Sequence, residues 1–184
     1  MFVTARNNQF SFNFPKTFIP KEIADKYRPY ITRIPGGMIK EPIDLFNYAI
    51  QSINLPGPSY EPIQQNSFPG NTRSYRTSVP TPELYDKNLT VTVNAFDGYV
   101  NYWMAVDLLS YYYSLSGKEP FLPENPGIQM LDAEGNNYIT IKMKQMILKS
   151  VSSLDLNFSS NTIEFQTFDM EFSYNHIDIK TDLI

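Results

Sequence analysis

His176 is the single histidine of the chain, and a search for chemistry starts there. A Ser-His-Asp or Cys-His centre needs a base beside a nucleophile. His176 could serve as the base, but no G-x-S-x-G or other nucleophile signature accompanies it, so a structural or solvent-facing role is expected. Cysteine is absent, which removes disulfides and thiolate metal sites. Gly117-Lys118 in SLSGKEP lacks the first glycine and the Ser/Thr of a phosphate-binding loop. DAEGNN, starting at Asp132, has the composition of a calcium loop without its ligand spacing or closing Glu; lying between two alternating runs, it predicts a hairpin turn. Glu164, Asp169 and Glu171 do not all converge, because successive strand positions alternate faces. The triplets NLT at Asn88 and NFS at Asn157 match glycosylation acceptors but fall in or beside expected strands. No residue set is expected to carry catalysis, hold a metal or bind a cofactor.

The elements must therefore position surfaces rather than a reactive centre. With 184 residues, 42% hydrophobic and 18% charged, the chain is long enough for one domain with a large core. Its net charge of -4 comes without a basic stripe, which argues against tight nucleic-acid binding. No apolar run is long enough to span a bilayer, and MFVTARNNQF lacks the apolar stretch of a secretory signal. Aromatics reach 15%, with 13 Tyr and 13 Phe. Such a surplus fits either a β-rich core or surfaces that become interfaces.

Read along the chain, QFSFNF places Phe10, Phe12 and Phe14 on one face of a short strand. PKEIADKYRPY predicts a helix with Pro20 near its first turn, a stripe of Ile23, Tyr27 and Ile31, and a limit or kink at Pro29. Residues 43–55 read as a strand stopped by LPGP. Residues 56–82 are proline-rich and without period, a long loop or extended arm. In LTVTVNAF, Leu89, Val91, Val93 and Ala95 face inward, and Thr90, Thr92 and Asn94 outward. Asp97 is the expected N-cap of the next helix. On that helix Tyr99, Tyr102, Trp103, Val106, Leu109 and Tyr113 form the expected packing stripe, with Trp103 in the core. Met104, Leu108 and Tyr111 fall opposite. A surface helix is ordinarily polar there, so either the helix is sandwiched within the domain or its second face meets another chain. Residues 138–148, a short LDLNF strand at 154–158, and a long strand over 163–175 close the chain. In the last of these a bulge near Gln166 and Thr167 would absorb a slip in phase.

LTVTVNAF, the acidic turn after it and an aromatic helix with Trp103 resemble the middle of bacteriophage tail tube proteins of the contractile-tail type. MKQMILKSVSSLDLNFSSNTIEFQTFDMEFSYNHIDI is similar to that family's closing pattern of strand, bend, short strand, polar turn and long strand. INLPG at 53–57 is similar to its strand ending in Leu-Pro. The type VI secretion tube proteins share the fold and match less well.

The resemblance implies a β-sandwich or barrel with one flanking helix, to which this sequence adds a short N-terminal helix. It implies a single tail-tube-like domain over 1–184, with an N-terminal insertion at about 15–42 and an extended arm at about 56–82. It implies a non-enzymatic virion protein, assembled in the host cytoplasm. Copies would form rings, usually of six, that stack into a tube conducting DNA without specific binding, in contact with other tail proteins and with no membrane. Thr90, Thr92 and Asn94 are then the candidates for the bore. Arg73, Tyr75 and Arg76 on the arm, with Met104, Leu108 and Tyr111 on the helix, are the candidates for subunit contacts. Lys142 and Lys144 are expected to point away from the bore or to pair with carboxylates. Residues 15–42 are longer than the matching region of compact tube proteins, so a tube-fold ring at a neck or baseplate is the alternative. An aromatic-rich β-sandwich that binds glycans is the alternative of another class.

Overall fold

In a computed structural model the chain is described over residues 8–31, 39–55, 57, 63–68, 71–75, 87–114, 126–154, 156 and 166–181. Two four-stranded antiparallel sheets hold the core. The first has the order β1-β6-β7-β10, with β1 Phe10–Asn13, β6 Gly127–Leu131, β7 Asn137–Lys144 and β10 His176–Thr181. The second has the order β2-β5-β9-β8, with β2 Ile50–Asn54, β5 Asn88–Asn94, β9 Thr167–Ser173 and β8 Ile147–Val151. A separate two-stranded ribbon joins β3 Ile63–Phe68 to β4 Asn71–Tyr75. Three α-helices are found among the described residues: α1 Lys21–Ile31, α2 Asp44–Asn47 and α3 Val100–Ser114.

Alternation does what it predicts in β5. Leu89, Val91 and Val93 are buried, while Thr90, Thr92 and Asn94 are half-exposed. In β9 the even-numbered Phe168, Met170 and Phe172 are buried, and Tyr174 follows them inside. The DAEGNN turn joins β6 to β7, with Asp132 Oδ1 accepting from the backbone N–H groups of Glu134 and Asn136 at 2.8 Å each. Gly135 takes φ 88°, a left-handed conformation that glycine adopts without strain. Just past β1, Phe14 meets Phe12, Phe18, Phe46 and Phe172, with ring centroids 4.4–6.1 Å apart. Such edge and offset contacts add to simple area burial. Helix α1 buries Ile23, Tyr27 and Ile31, the expected stripe, with Pro29 inside it.

Four readings of the sequence are corrected. Residues 44–47 are helix rather than strand. Leu45, Phe46 and Ala49 are buried at helical spacing, and Asp44 Oδ2 reaches back to the N–H groups of Lys40 and Glu41 at 2.9 Å each. The run at 138–148 is two strands in different sheets. Gln145 turns the chain with φ 54°, Met146 is buried, and β8 continues in the second sheet. The long closing strand crosses in the same place: β9 ends at Ser173, and β10 starts at His176 in the first sheet. Asn175 N–H donates to Lys144 C=O at 3.1 Å, and Asn175 Nδ2 donates to Gln145 Oε1 at 2.5 Å, so the two crossings brace each other. Leu154 and Leu156 are not in a strand, and the rest of LDLNF lies outside the described residues; at Gln166 and Thr167 there is no bulge, since β9 starts at Thr167 and pairs with β5 in unbroken register.

The fourth correction concerns α3. Its buried residues are Asn101, Met104, Ala105 and Leu108, at i, i+3, i+4 and i+7. Trp103 is 56% exposed and Tyr113 68%. The expected stripe is thus split: Tyr102 and Leu109 pack half-buried against the core, but Trp103 and Tyr113 are outside, and Met104 and Leu108 are core residues, unavailable to another chain. The small Ala105 lets α3 lie close to the core. Burying Met104 and Leu108 supplies about 1.5–3 kcal/mol each. Nor does Asp97 cap the helix: it is exposed, in a 3-10 turn Asp97–Tyr99. Asn101, inside the helix, ties the preceding turn back instead: its Oδ1 accepts from Phe96 N–H at 2.9 Å and its Nδ2 donates to Asn94 C=O at 2.7 Å. Gly98 and Tyr99, at φ 70° and 55°, turn the chain between them.

Candidate assembly surfaces

The outward face of the second sheet gathers the bore candidates onto one polar surface. Antiparallel register sets Asn54, Thr90 and Glu171 in one row, and Ser52, Thr92 and Asp169 in the next. Asn94 lies opposite Thr167. Thr92 Oγ1 donates to Asp169 Oδ1 at 2.7 Å, so the hydroxyl and carboxylate satisfy each other across the strands. Glu171 accepts from Ser150 Oγ at 2.8 Å and from Lys149 Nζ at 3.1 Å. The Ser150 hydrogen bond first, and Lys149 after it, hold the Glu171 carboxyl below its ordinary range. The described residues of this face therefore carry two carboxylates against one lysine, and that lysine is paired.

Lys142 and Lys144 lie in the first sheet, away from this surface, both exposed. Lys144 Nζ is 2.5 Å from Asp178 Oδ2 across the β7–β10 pair. That hydrogen bond is the main reason the Asp178 carboxyl sits below its ordinary range. His176 is exposed, with Nε2 3.0 Å from Asp178 Oδ1. It shares that carboxylate with Lys144, and no nucleophile appears among these contacts.

Among the described residues, both sheets end in edge strands without a partner: β2 and β8 in the second sheet, β1 and β10 in the first. Open edges present unpaired backbone groups, which another strand can complete. The segment read as a loop or arm contains the β3–β4 ribbon, in register Ile63↔Tyr75 through Phe68↔Asn71. Arg73 and Tyr75 lie on β4; Arg76 lies outside the described residues.

The helical side carries the third surface. Lys26 on α1 pairs with Asp107 on α3, and Tyr27 Oη donates to the same Asp107 Oδ2 at 2.6 Å. Burial works to raise the Asp107 carboxyl, but the Lys26 and Tyr27 hydrogen bonds outweigh it and hold it below its ordinary range. Burial, with the Asp107 hydrogen bond behind it, pushes the Tyr27 hydroxyl well up. Beside this clamp Trp103 stands out from the surface, edge-on to Tyr102 at 5.5 Å between centroids. Tyr111 is half-buried against the core. No group of His, Cys, Asp and Glu able to hold a metal occurs among the described residues, and no described helix is long and apolar enough to cross a membrane.

No family model matches the chain, and no curated protein matches it in sequence. Solved structures do. A chain of the anti-feeding prophage (AFP) baseplate, six-fold symmetrised, aligns over 100% of both chains with a TM-score of 0.52 at 15% identity. A chain of the AFP tube-terminating cap aligns over 72% of this chain and 80% of its own, with a TM-score of 0.49 at 13% identity. A chain of the PVC sheath-tube complex, from an extracellular contractile injection system, aligns over 74% and 80%, with a TM-score of 0.47 at 15% identity. The baseplate chain shows a shared fold. The mainly β fold expected from the sequence is the fold of this protein, and it is shared with the AFP baseplate chain.

Proposed function

We propose that this chain is a structural ring subunit of a phage tail or related injection machine, with the second sheet facing the bore. One observation carries the reading: a four-stranded sheet whose edge strands have no partner among the described residues, apolar on one face and lined on the other by hydroxyls, amides and a small carboxylate excess. Pairing β2 of one copy with β8 of the next would complete the edges and close the sheets into a barrel. A bore for DNA must not hold phosphates, because each phosphate–lysine pair adds affinity through counterion release, and a ring multiplies the effect by its subunit number. A face whose one lysine among the described residues is already paired with Glu171 suits that task.

In this reading Thr90, Thr92 and Asn94 line the bore, and the arm with Arg73, Tyr75 and Arg76 reaches a neighbouring subunit. Trp103 and Tyr113 replace Met104 and Leu108 as the helical contacts, towards a neighbour or another tail protein. The six-fold symmetry of the AFP baseplate supports a ring of six. The repeating tube is the first placement. A baseplate ring is the second, favoured by one observation: the AFP baseplate chain aligns over the whole of this chain, whose residues 15–42 are longer than the matching region of compact tube proteins.

The test is the mass of the purified full-length chain in solution, with negative-stain images of the same sample. Hollow rings or stacks of rings support the proposal. A monodisperse monomer at high protein concentration refutes it, and a monomer that binds oligosaccharides would favour the glycan-binding alternative.

A further inference from the structure

Outside the surfaces already described, the molecule has a half-open depression of about 510 Å³ between the start of α1 and the segment leading into α2. Four cations line it, Lys16, Lys21, Arg28 and Lys40, against a single carboxylate, Glu41. Glu41 takes Lys16, at 2.9 Å, and Arg28 leans on Asp25 at 3.5 Å. Asp44, behind the rim, is spent on the backbone N–H groups of Lys40 and Glu41. Lys21 and Lys40 are exposed and make no ion pair among the described residues. Ile19 and Pro42, both buried, give the depression an apolar floor. It is a cationic cup with two positions unanswered.

The complementary feature is on the same chain at the other end of the same sheet. β1 runs antiparallel to β6, with Phe10 opposite Met130 and Asn13 opposite Gly127. The β6–β7 turn therefore projects beyond the Phe10 end. The chain leaves β1 at the Asn13 end and reaches Lys16 and the cup at once. That turn is Asp132, Ala133, Glu134, Gly135, Asn136, with two carboxylates and no cation. Asp132 is occupied in holding the turn rigid, through Glu134 N–H, Asn136 N–H and Asn136 Nδ2. Glu134 is exposed, with its carboxylate pointing to no cation among the described residues, and Ala133 and Gly135 beside it are exposed and small. A rigid, narrow, acidic tip at one end of a sheet and a cationic cup past the other end make a head-to-tail pair. Such a heterologous contact propagates instead of closing on itself.

We infer that the cup of one copy receives the β6–β7 turn of a second copy in the next ring, with Glu134 placed against Lys21 and Lys40, and that this contact stacks the rings. The inference rests on the ring reading above and adds the axial contact to it. Opposite charges on the two ends also set direction: head-to-head or tail-to-tail contacts put like charges together and are disfavoured. The contact is exposed and shallow, so one copy of it is weak and screened by salt. A ring repeats it at every subunit, and the repeats act together.

The test is a charge exchange in the full-length chain, read by two separate quantities: ring mass, and mean stack length in negative stain at low ionic strength. Glu134→Lys alone and Lys21→Glu with Lys40→Glu are each expected to leave ring mass unchanged and reduce long stacks to single rings. Combining all three substitutions is expected to restore stacking. Raising salt is expected to shorten wild-type stacks. Unchanged stack length in both charge variants overturns the inference and leaves the ring reading standing. Loss of stacking that the combined variant does not restore overturns the turn as the occupant of the cup. Wild-type rings that never stack overturn the contact between copies, and the absence of rings in the wild type overturns both proposals.

Discussion

Replacing Asn101 by alanine tests how the strand-to-helix junction is locked. Asn101 is fully buried, and its amide closes two contacts, accepting from Phe96 N–H at 2.9 Å and donating to Asn94 C=O at 2.7 Å. Two hydrogen bonds at about 1 kcal/mol each set the lower bound, and leaving a partly buried N–H and C=O poorly paired raises the cost to about 2–4 kcal/mol. For a domain of this size that is a fall in melting temperature of roughly 6–12 °C. Asn101→Asp separates the two bonds. An ionised carboxylate still accepts from Phe96 N–H but cannot donate to Asn94 C=O, and it sets negative charge against that carbonyl. Burial and the carbonyl both raise the introduced carboxyl, so the deficit relative to wild type is largest at neutral pH and shrinks as pH falls and the group protonates. Urea unfolding at pH 7 and at acid pH reads both effects. An Asn101→Ala variant within about 0.5 kcal/mol of wild type would refute the reasoning, because ordinary surface substitutions fall in that range.

Adjacent residues on α3 are expected to part company. Met104→Ala, at a fully buried site, should cost about 2–5 kcal/mol in urea unfolding, whereas Trp103→Ala, more than half exposed, should cost far less and instead weaken assembly measured by ring mass. The opposite ranking would restore Trp103 to the core. Asp107, held below its ordinary value of 3.8 by Lys26 and Tyr27, contributes stability that is fully present above that value and lost as pH falls through its lower folded value. The clamp is partly exposed, so Asp107→Asn should cost about 1 kcal/mol or less at pH 7, with the two melting curves converging at acid pH; a constant difference down to pH 2 would assign the cost to packing. Deleting residues 65–76, which removes most of the β3–β4 ribbon, should leave the two main sheets folded by circular dichroism and abolish rings. Normal rings from that variant would sink the arm as a subunit contact.

The parts legible in the sequence were those in which a local period reports a local environment. LTVTVNAF alternates because one face of β5 is core and the other polar. The even phase of Phe168, Met170, Phe172 and Tyr174 and the stripe of Ile23, Tyr27 and Ile31 are set in the same way. DAEGNN announced its turn because an Asp that caps its own loop and a glycine at positive φ are local chemistry. Sheet membership is different, since it depends on partners far away in sequence. Nothing within MKQMIL distinguishes one strand from two; at Gln145, where φ is positive, the contact that braces the crossing comes from Asn175, thirty residues on. Residues 43–49 carried mixed signals, and only the pocket that receives Leu45, Phe46 and Ala49 made them helical. Helix α3 is apolar on both sides, so its sequence contained no preference to read. Asn101 bonding back to Asn94 and Phe96, and Ala105 permitting close approach, decided in three dimensions that Met104 and Leu108 lie inside and Trp103 outside.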